Sequence, residues 1–229
     1  MPRLFSYCIP GDDGAAPNPY GPILTLNICK PVIRRVAQEG DWVVGTGSMQ
    51  FGFENKVVYA MEITKKMTME EYWHFCNTNK NMHYKIPNWD SKIYRERVGD
   101  SIYDFSTKPS TLLPSVHNEG NRPTDEGGEC TLLSDHFYYF GSSPESFPEH
   151  LLPIVKQGQA HRSTSNDPYY HSFIEWITTH IKAKNTIYAP PQGERDNPDP
   201  EICRSVCAAR DRQIGEIDEA TGDEITDNS

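Results

Sequence analysis

A glycine-rich stretch at residues 40–48 has the composition of a small-ligand pocket. Its sequence, GDWVVGTGS, runs from an apolar strand candidate into Thr46, Gly47 and Ser48. Glycines let a ligand approach main-chain N–H groups, and the two hydroxyls add donors suited to a phosphate or a base edge. Trp42 is suited to stacking on a base, as aromatic residues do in pockets for single-stranded or flipped bases. The competing interpretations are a simple turn and a core or rim tryptophan.

A second group of reactive side chains flanks the helix candidate at residues 30–38. Asp13, Asn18, Cys29 and Lys30 lie on its N-terminal side in the sequence. The helix dipole favours the thiolate of a cysteine placed there, so Cys29 is a candidate nucleophile. Lys30 is a candidate contact for a phosphate or a carbonyl. The alternative for Cys29 is a small packed hydrophobic residue.

The dipeptide His161-Arg162 follows a glycine-containing turn and precedes a polar loop. A histidine beside an arginine can serve as an acid/base group next to an anion clamp. The pair can equally hold the loop in place through bonds to main-chain carbonyls. Both interpretations stay open from the sequence.

The charge of the chain is concentrated at one end. Of the net charge of −10 over 229 residues, residues 191–229 carry eleven acidic and four basic side chains, and the rest carries −3. This balance argues against a protein that coats duplex DNA, because phosphate contacts from Lys and Arg dominate that binding. The segment 80–97, with five basic and two acidic residues, is either a local nucleic-acid patch or a solvated loop.

The cysteines and the N-terminal sequence predict a cytoplasmic location for the chain. The six cysteines show no repeated CxxC pairing, the N-terminus has no export signal, and no apolar run approaches about 20 residues. We therefore expect free thiols and no membrane association. The histidines have no metal-ligand spacing, and Cys203 with Cys207 has no second pair of ligands, so no metal site is expected. Walker, Rossmann and G-x-S-x-G patterns are missing as well, and the sequence names no cofactor.

The hydrophobic pattern predicts a mixture of strands and helices. A capping box, Thr68 with Glu71, marks the start of one helix. The segment 77–128 is mostly polar and irregular apart from a short strand at 101–105. Further strands are predicted at residues 4–9, 23–29, 42–45, 57–63, 131–133 and 136–140, and further helices at 30–38, 147–155 and 169–182.

Segments spread over residues 1–182 together resemble the second type of nucleotide modification associated domain, known from bacteria and phages. They are, in order, DG with APNPYG, LTL, CKPVIR, GDWVVGTGS, YAM, MTMEEYW, GDSIY, LSDHFYYFG, GQAHR and FIEW. The resemblance implies a role near the modification of DNA bases or nucleotides, in a family of pathway components without an agreed chemistry. The order of elements is also similar to PUA, ASCH and EVE barrels, in which a pocket between barrel and helix accepts a base or nucleotide.

The expected fold is α+β, a mainly antiparallel, partly closed PUA/EVE-like β-barrel flanked by helices. It spans residues 1–188, and residues 189–229 form an acidic, largely disordered tail with a marginal helix at 201–212. The leading hypothesis is recognition of a nucleotide or modified nucleobase, possibly within DNA, in a bacterial or phage DNA-modification or defence system. The first alternative is a transferase or hydrolase acting through Cys29 or His161, and the second is a protein-interaction module whose acidic tail binds a basic partner. The expected ligand-binding residues are Asp13, Asn18, Lys30, Trp42, Thr46, Gly47, Ser48 and Arg162.

Overall fold

A computed structural model describes residues 1–158, 160–181 and 183–196 of the chain. The strands are β1 (Leu4–Ile9), β2 (Leu24–Leu26), β3 (Trp42–Gly47), β4 (Lys56–Glu62), β5 (Lys65–Thr68), β6 (Tyr103–Asp104), β7 (Thr111–Leu112), β8 (Cys130–Ser134), β9 (His136–Tyr139), β10 (Glu145–Ser146), β11 (His161–Arg162) and β12 (Thr186–Ile187). The α-helices are α1 (Pro31–Val36), α2 (Met69–Thr78), α3 (Tyr94–Arg97), α4 (Arg122–Glu126), α5 (Tyr170–His180) and α6 (Gln192–Asp196). Single 3-10 turns or short 3-10 helices occupy Met49–Phe51, Lys80–Lys85, Glu119–Asn121, Glu149–Ile154 and Thr164–Tyr169. Among the described helices, each is too short or too polar to cross a bilayer.

A seven-stranded sheet forms the centre of the molecule. Its strands follow the order β11-β1-β3-β4-β9-β12, and β10 pairs with β4. Most neighbours are antiparallel, whereas β1 with β3 and β9 with β12 are parallel. A smaller antiparallel sheet, β2-β8-β5, and the two-stranded β6-β7 complete the described strands.

The central sheet is buried on both faces, and this fixes which side chains can meet. Successive residues of a strand point to opposite faces, so Phe5 and Tyr7 of β1 enter one core with the smaller sheet and α1. Leu4 of β1 and Trp42 of β3 enter the other core, which α5 and the helix Glu149–Ile154 cover. We call the first side the α1 face and the second the α5 face.

The polar segment between α2 and β8 is attached to the domain by buried ionic and hydrogen-bonding groups. The ammonium of Lys85 donates to the carbonyl and side-chain oxygens of Asn18, at 2.8 and 2.9 Å. Asp100 accepts from the hydroxyls of Thr25, at 2.6 Å, and Tyr72, at 2.7 Å. Because buried polar groups need partners, these bonds hold an otherwise irregular segment in one position.

The α+β class and the mainly antiparallel pairing are confirmed, and the capping box at Thr68 and Glu71 forms as expected. The barrel is not confirmed, because among the described strands the central sheet ends at β11 on one side and β12 on the other. The loop predicted to follow residue 45 is wrong in its first part. Strand β3 continues through Gly47, with Thr46 opposite Cys8 and Gly47 opposite Ile9 of β1.

Residues 190–196 lie against the N-terminal loop of the domain. The amide of Gly193 donates to the carbonyl of Asp12 at 2.8 Å, and the hydroxyl of Tyr20 donates to Glu194 at 2.8 Å. The division at residue 188 therefore stays a prediction, with eight residues of the expected tail now described beside the domain. The rest of the predicted tail, including the helix at 201–212 and both Cys203 and Cys207, lies outside the described residues.

Asp12 gives the fold a pH dependence. Burial raises the pKa of its carboxyl to about 7, although the Tyr139 hydroxyl, 2.5 Å from Oδ2, partly opposes this. Between about pH 4 and pH 7 the folded state therefore binds more protons than the unfolded state, and stability falls as pH rises. We expect Asp12→Asn to gain on the order of 3 kcal/mol relative to the wild type between pH 5 and pH 8, at about 1.4 kcal/mol per pKa unit.

Urea unfolding of both proteins at several pH values measures this difference. A gap between the two unfolding free energies that stays constant across the range would show that Asp12 is ionised in the folded state.

Candidate functional site

The expected pocket around Trp42 lies inside the α5 face. The indole is 2 % exposed and contacts the rings of His136 and Phe173, at 5.2 and 6.1 Å between centroids. The Thr46 hydroxyl is also buried, and it donates to the carbonyls of Tyr7 and Lys156. The stacking role of Trp42 is therefore not supported, because neither face of the indole is open and the strand pairing uses the main chain that was expected to be bare.

The remaining members of that pocket have structural partners too. A side chain at Gly47 would overlap Phe53, so the glycine permits close packing. The Ser48 hydroxyl accepts the amide of Gln50 at 3.2 Å and caps the turn Met49–Phe51. The Arg162 guanidinium donates to the carbonyl of Pro153, which is the loop-holding role that the sequence left open.

Asp13 and Asn18 stabilise the loop before β2. The Asp13 carboxylate accepts the amide of Ala15 at 2.9 Å. Asn18 donates to the carbonyl of Val98 at 2.9 Å and accepts from Lys85. Both side chains therefore have buried protein partners that explain their presence.

The basic segment 80–97 is divided between interior and surface. Lys85 is buried, which removes one of its five positive charges from the surface. Two arginines lie over aromatic rings, Arg95 over Tyr84 at 5.9 Å and Arg97 over Trp89 at 5.0 Å. A nucleic-acid contact at this segment stays a prediction.

Cys29 forms the centre of a constellation that the sequence did not reveal. Its Sγ atom lies 3.6 Å from Nε2 of His117, and Nδ1 of His117 lies 2.6 Å from Oδ2 of Asp125. The other carboxylate oxygen of Asp125 accepts the amide of Cys29 at 2.8 Å, and Tyr103 donates its hydroxyl to Oδ2 at 2.9 Å. A thiol, an imidazole and a carboxylate thus stand in series, which is the arrangement of an activated cysteine nucleophile.

The ionisation of Asp125 fixes the roles of the two histidine nitrogens. Burial by itself raises the pKa of Asp125, but the charge and hydrogen bond of His117, with Arg34 and the Cys29 amide, bring it below its ordinary value. An ionised carboxylate only accepts hydrogen bonds, so Nδ1 of His117 carries the proton facing it. In the neutral imidazole, Nε2 then presents a lone pair to the Cys29 thiol and can take its proton.

Arg34 holds the backbone of the constellation. It is fully buried, and its guanidinium donates to the carbonyl oxygens of Cys29, at 2.7 Å, Cys130, at 2.9 Å, and Asp125. A side chain at Gly128 would overlap this guanidinium, which explains the glycine there. The three carbonyls come from the turn before α1, from β8 and from α4, so one side chain joins the segments that carry the site.

The backbone at Cys29 is itself unusual. Cys29 and Lys30 both have left-handed conformations, with φ of 58° and 42°. Residues other than glycine rarely adopt this region, and such outliers cluster at functional sites because surrounding contacts must maintain them. Here the Arg34 bond to the Cys29 carbonyl and the Asp125 bond to its amide provide those contacts.

A metal ion is the other species that this constellation resembles. One ligand atom from each of Cys29, His117 and Asp125 lies within 4.8 Å of the others. Both carboxylate oxygens, however, already accept hydrogen bonds from Cys29, Tyr103 and His117. Without rearrangement of the site, an ion could be bound by only two of these ligand atoms, Sγ of Cys29 and Nε2 of His117. A catalytic zinc has three protein ligands.

Of the expected site residues, the structure brings Cys29, Lys30 and His161 to the α1 face. The ammonium of Lys30 lies 4.6 Å from the centre of the Tyr7 ring, and Tyr7 is the cross-strand partner of His161. His117 and Asp125 were missed, since they are 88 and 96 residues from Cys29 and lie in the segment that appeared irregular. No short sequence motif around His117 or Asp125 indicates a role in a site.

The described residues thus form an α+β protein in which a partly exposed thiol meets a buried imidazole and a buried carboxylate. The chain matches the family model described as nucleotide modification associated domain 2 over residues 1–196, and it belongs to that family. The expected resemblance is therefore confirmed. Neither the curated proteins nor the solved structures gave a match.

Proposed function

We propose that this protein is an enzyme of nucleotide or nucleobase modification that uses Cys29 as a covalent nucleophile, with His117 as acid/base and Asp125 as the group that orients it. The observation that carries the proposal is the placement of His117 between the other two groups. Its Nε2 lies 3.6 Å from Cys29 Sγ, and its Nδ1 lies 2.6 Å from Asp125 Oδ2. The family supplies the context, since its members are associated with nucleotide modification. The reaction class is a transferase or hydrolase in a bacterial or phage DNA-modification system.

The first half of the reaction forms a bond between Cys29 and the substrate. His117 Nε2 takes the thiol proton, and the thiolate sulfur attacks an electrophilic carbon of the base or nucleotide. The bond from that carbon to the leaving group breaks, and His117 returns the proton to the leaving group. Asp125 stabilises the imidazolium that exists between the two transfers.

The second half releases the product. Water, in a hydrolase, or another nucleophile, in a transferase, gives a proton to His117 and attacks the same carbon. The carbon–sulfur bond breaks, and the thiolate regains the proton from His117. Every proton in this cycle passes through Nε2, which is the nitrogen that faces the sulfur.

Recognition without catalysis is the rival function. Its strongest expected contacts, Trp42 and Thr46, are enclosed in the α5 face, whereas Lys30 and His161 remain compatible with it. The second alternative, binding of a protein partner through the acidic tail, depends on residues outside those described. It stays a separate hypothesis.

Incubation of the full chain with a panel of nucleosides and nucleotides, including modified bases, tests the proposal. Mass spectrometry of the small molecules detects conversion, and native mass spectrometry of the protein detects binding. We expect at least one member to be converted, with no loss of rate on addition of a chelator. Binding of panel members without conversion of any would favour the recognition function, and loss of rate with the chelator would favour a metal centre.

A further inference from the structure

His161 has a buried nitrogen that lacks a hydrogen-bond partner. The residue is 2 % exposed, and its Nε2 atom makes no hydrogen bond with the described residues. Leaving a buried polar atom unpaired costs free energy, and such atoms in native proteins usually mark a site that a water, an ion or a ligand completes. The imidazole therefore needs an explanation beyond packing.

The position of His161 ties it to the proposed active site. It pairs with Tyr7 in the register of β1 and β11, and residues directly opposite on paired strands point to the same face. The Lys30 ammonium lies over the Tyr7 ring, 4.6 Å from its centre. Burial, Tyr59 and the nearby Cys29 raise the pKa of Tyr7, so Cys29 also lies close to this ring. A group held between Lys30 and His161 is therefore near the nucleophile.

The surroundings of His161 are positive. Burial, together with the charges of Lys30, Arg3 and Lys156 from three different segments, lowers its pKa to about 4. Arg3 lies over the Phe5 ring at 4.7 Å, and that ring is 5.8 Å from the imidazole. Three nearby cations and a neutral imidazole favour a ligand that brings negative charge and hydrogen-bond acceptors.

We propose that His161 Nε2 and Lys30 Nζ bind a phosphate group of the substrate and thereby hold its reacting part beside Cys29. This inference rests on the proposed function, because it names the substrate as a nucleotide rather than a nucleoside or free base. Phosphate supplies several acceptor oxygens for the imidazole N–H, and lysine binds phosphate as a point charge. The Lys30 side chain has to turn from the Tyr7 ring toward the phosphate, which its flexible stem allows.

A bound phosphate changes the imidazole in a measurable way. A nearby negative charge favours the protonated ring, so the pKa of His161 rises from about 4 when phosphate binds. In the free protein the ring stays neutral at pH 6.5. Its resonances should therefore move on titration with phosphate at that pH.

The test is an NMR titration of the full chain with inorganic phosphate at constant ionic strength, with the His161 signals assigned by His161→Gln. We expect saturable movement of those signals, and at least a tenfold weaker phosphate affinity in both His161→Gln and Lys30→Met. Arg162→Gln is the matched control: Arg162 is the next residue of β11, points to the α5 face and donates to Pro153. Its phosphate affinity should stay within twofold of the wild type.

Two outcomes would overturn the phosphate site: His161 signals that do not move with phosphate, or variants that bind phosphate as well as the wild type does. Either would show that phosphate is not the partner of this imidazole. A second arm compares a nucleoside with its 5′-monophosphate in the conversion assay, where the site requires a preference for the monophosphate. Conversion of both at equal efficiency would contradict the phosphate site and leave the role of Cys29 intact, so the two proposals fail separately.

Discussion

Cys29→Ala is expected to lower nucleotide conversion at least about 10³-fold while nucleotide affinity stays within about twofold of the wild type. Removing the nucleophile eliminates the covalent step, and the residues that bind the ligand remain. The alanine fits the site without adding bulk, and the Arg34 and Asp125 bonds involve only the main chain of residue 29. Steady-state rates and binding isotherms on the same nucleotide separate the two effects.

Cys130→Ala is the matched control for that substitution. Cys130, like Cys29, is a partly exposed cysteine outside any disulfide, and its carbonyl also accepts from Arg34. Its loss should leave conversion within about threefold of the wild type. If Cys29→Ala retained most of the activity, or if both variants lost it equally, Cys29 would have only a structural role.

Arg34→Met is expected to lower the free energy of unfolding by on the order of 3–5 kcal/mol. The substitution leaves three buried carbonyl oxygens without their donor and removes a cation that stabilises the buried Asp125 carboxylate. Breaking such a set by removing one partner is among the costly single changes in a protein interior. Urea unfolding followed by circular dichroism measures the effect.

The neighbouring Arg35→Met provides the comparison. Arg35 lies on the same helix, α1, but its bond to the carbonyl of Gly127 is at the surface. We expect a loss within about 1 kcal/mol, as is usual for exposed interactions. An Arg34→Met protein as stable as Arg35→Met would contradict the view that Arg34 joins the three segments of the site.

The parts of the fold that follow hydrophobic periodicity were predictable. Strands β1 and β4, helix α5 and the capping box of α2 all lie close to their expected positions. Each has a local signal: an apolar run, a 3.6-residue period or a paired Thr and Glu.

The glycines of β3 cannot be interpreted from the sequence, because they are required by tertiary contacts. In the sequence Gly45 resembles the end of a strand and Gly47 a loop residue, but both lie inside the paired strand β3. Tyr59 and Ile9 occupy the space that a side chain at position 45 would need. Phe53 occupies the corresponding space at position 47. A glycine that allows another residue to approach closely cannot be distinguished from a turn glycine without knowing what approaches.

The candidate site was predicted only at its nucleophile. Cys29 was recognisable because a reactive residue type precedes a helix. His117 and Asp125 reach it through a loop and the five-residue helix α4, which the polar composition of residues 77–128 concealed. Constellations of this kind are defined by geometry rather than by sequence spacing.

Catalysis through Cys29 depends on the transfer of its proton to His117, and competitive alkylation detects the resulting thiolate without a substrate. The folded chain is treated with a limiting amount of iodoacetamide between pH 6 and pH 9, and peptide mass spectrometry gives the rate at each cysteine. At pH 7 we predict that Cys29 reacts at least about tenfold faster than Cys130, and that His117→Asn removes this excess. Equal rates at Cys29 and Cys130, or a rate at Cys29 that His117→Asn leaves unchanged, would contradict the proposed nucleophile.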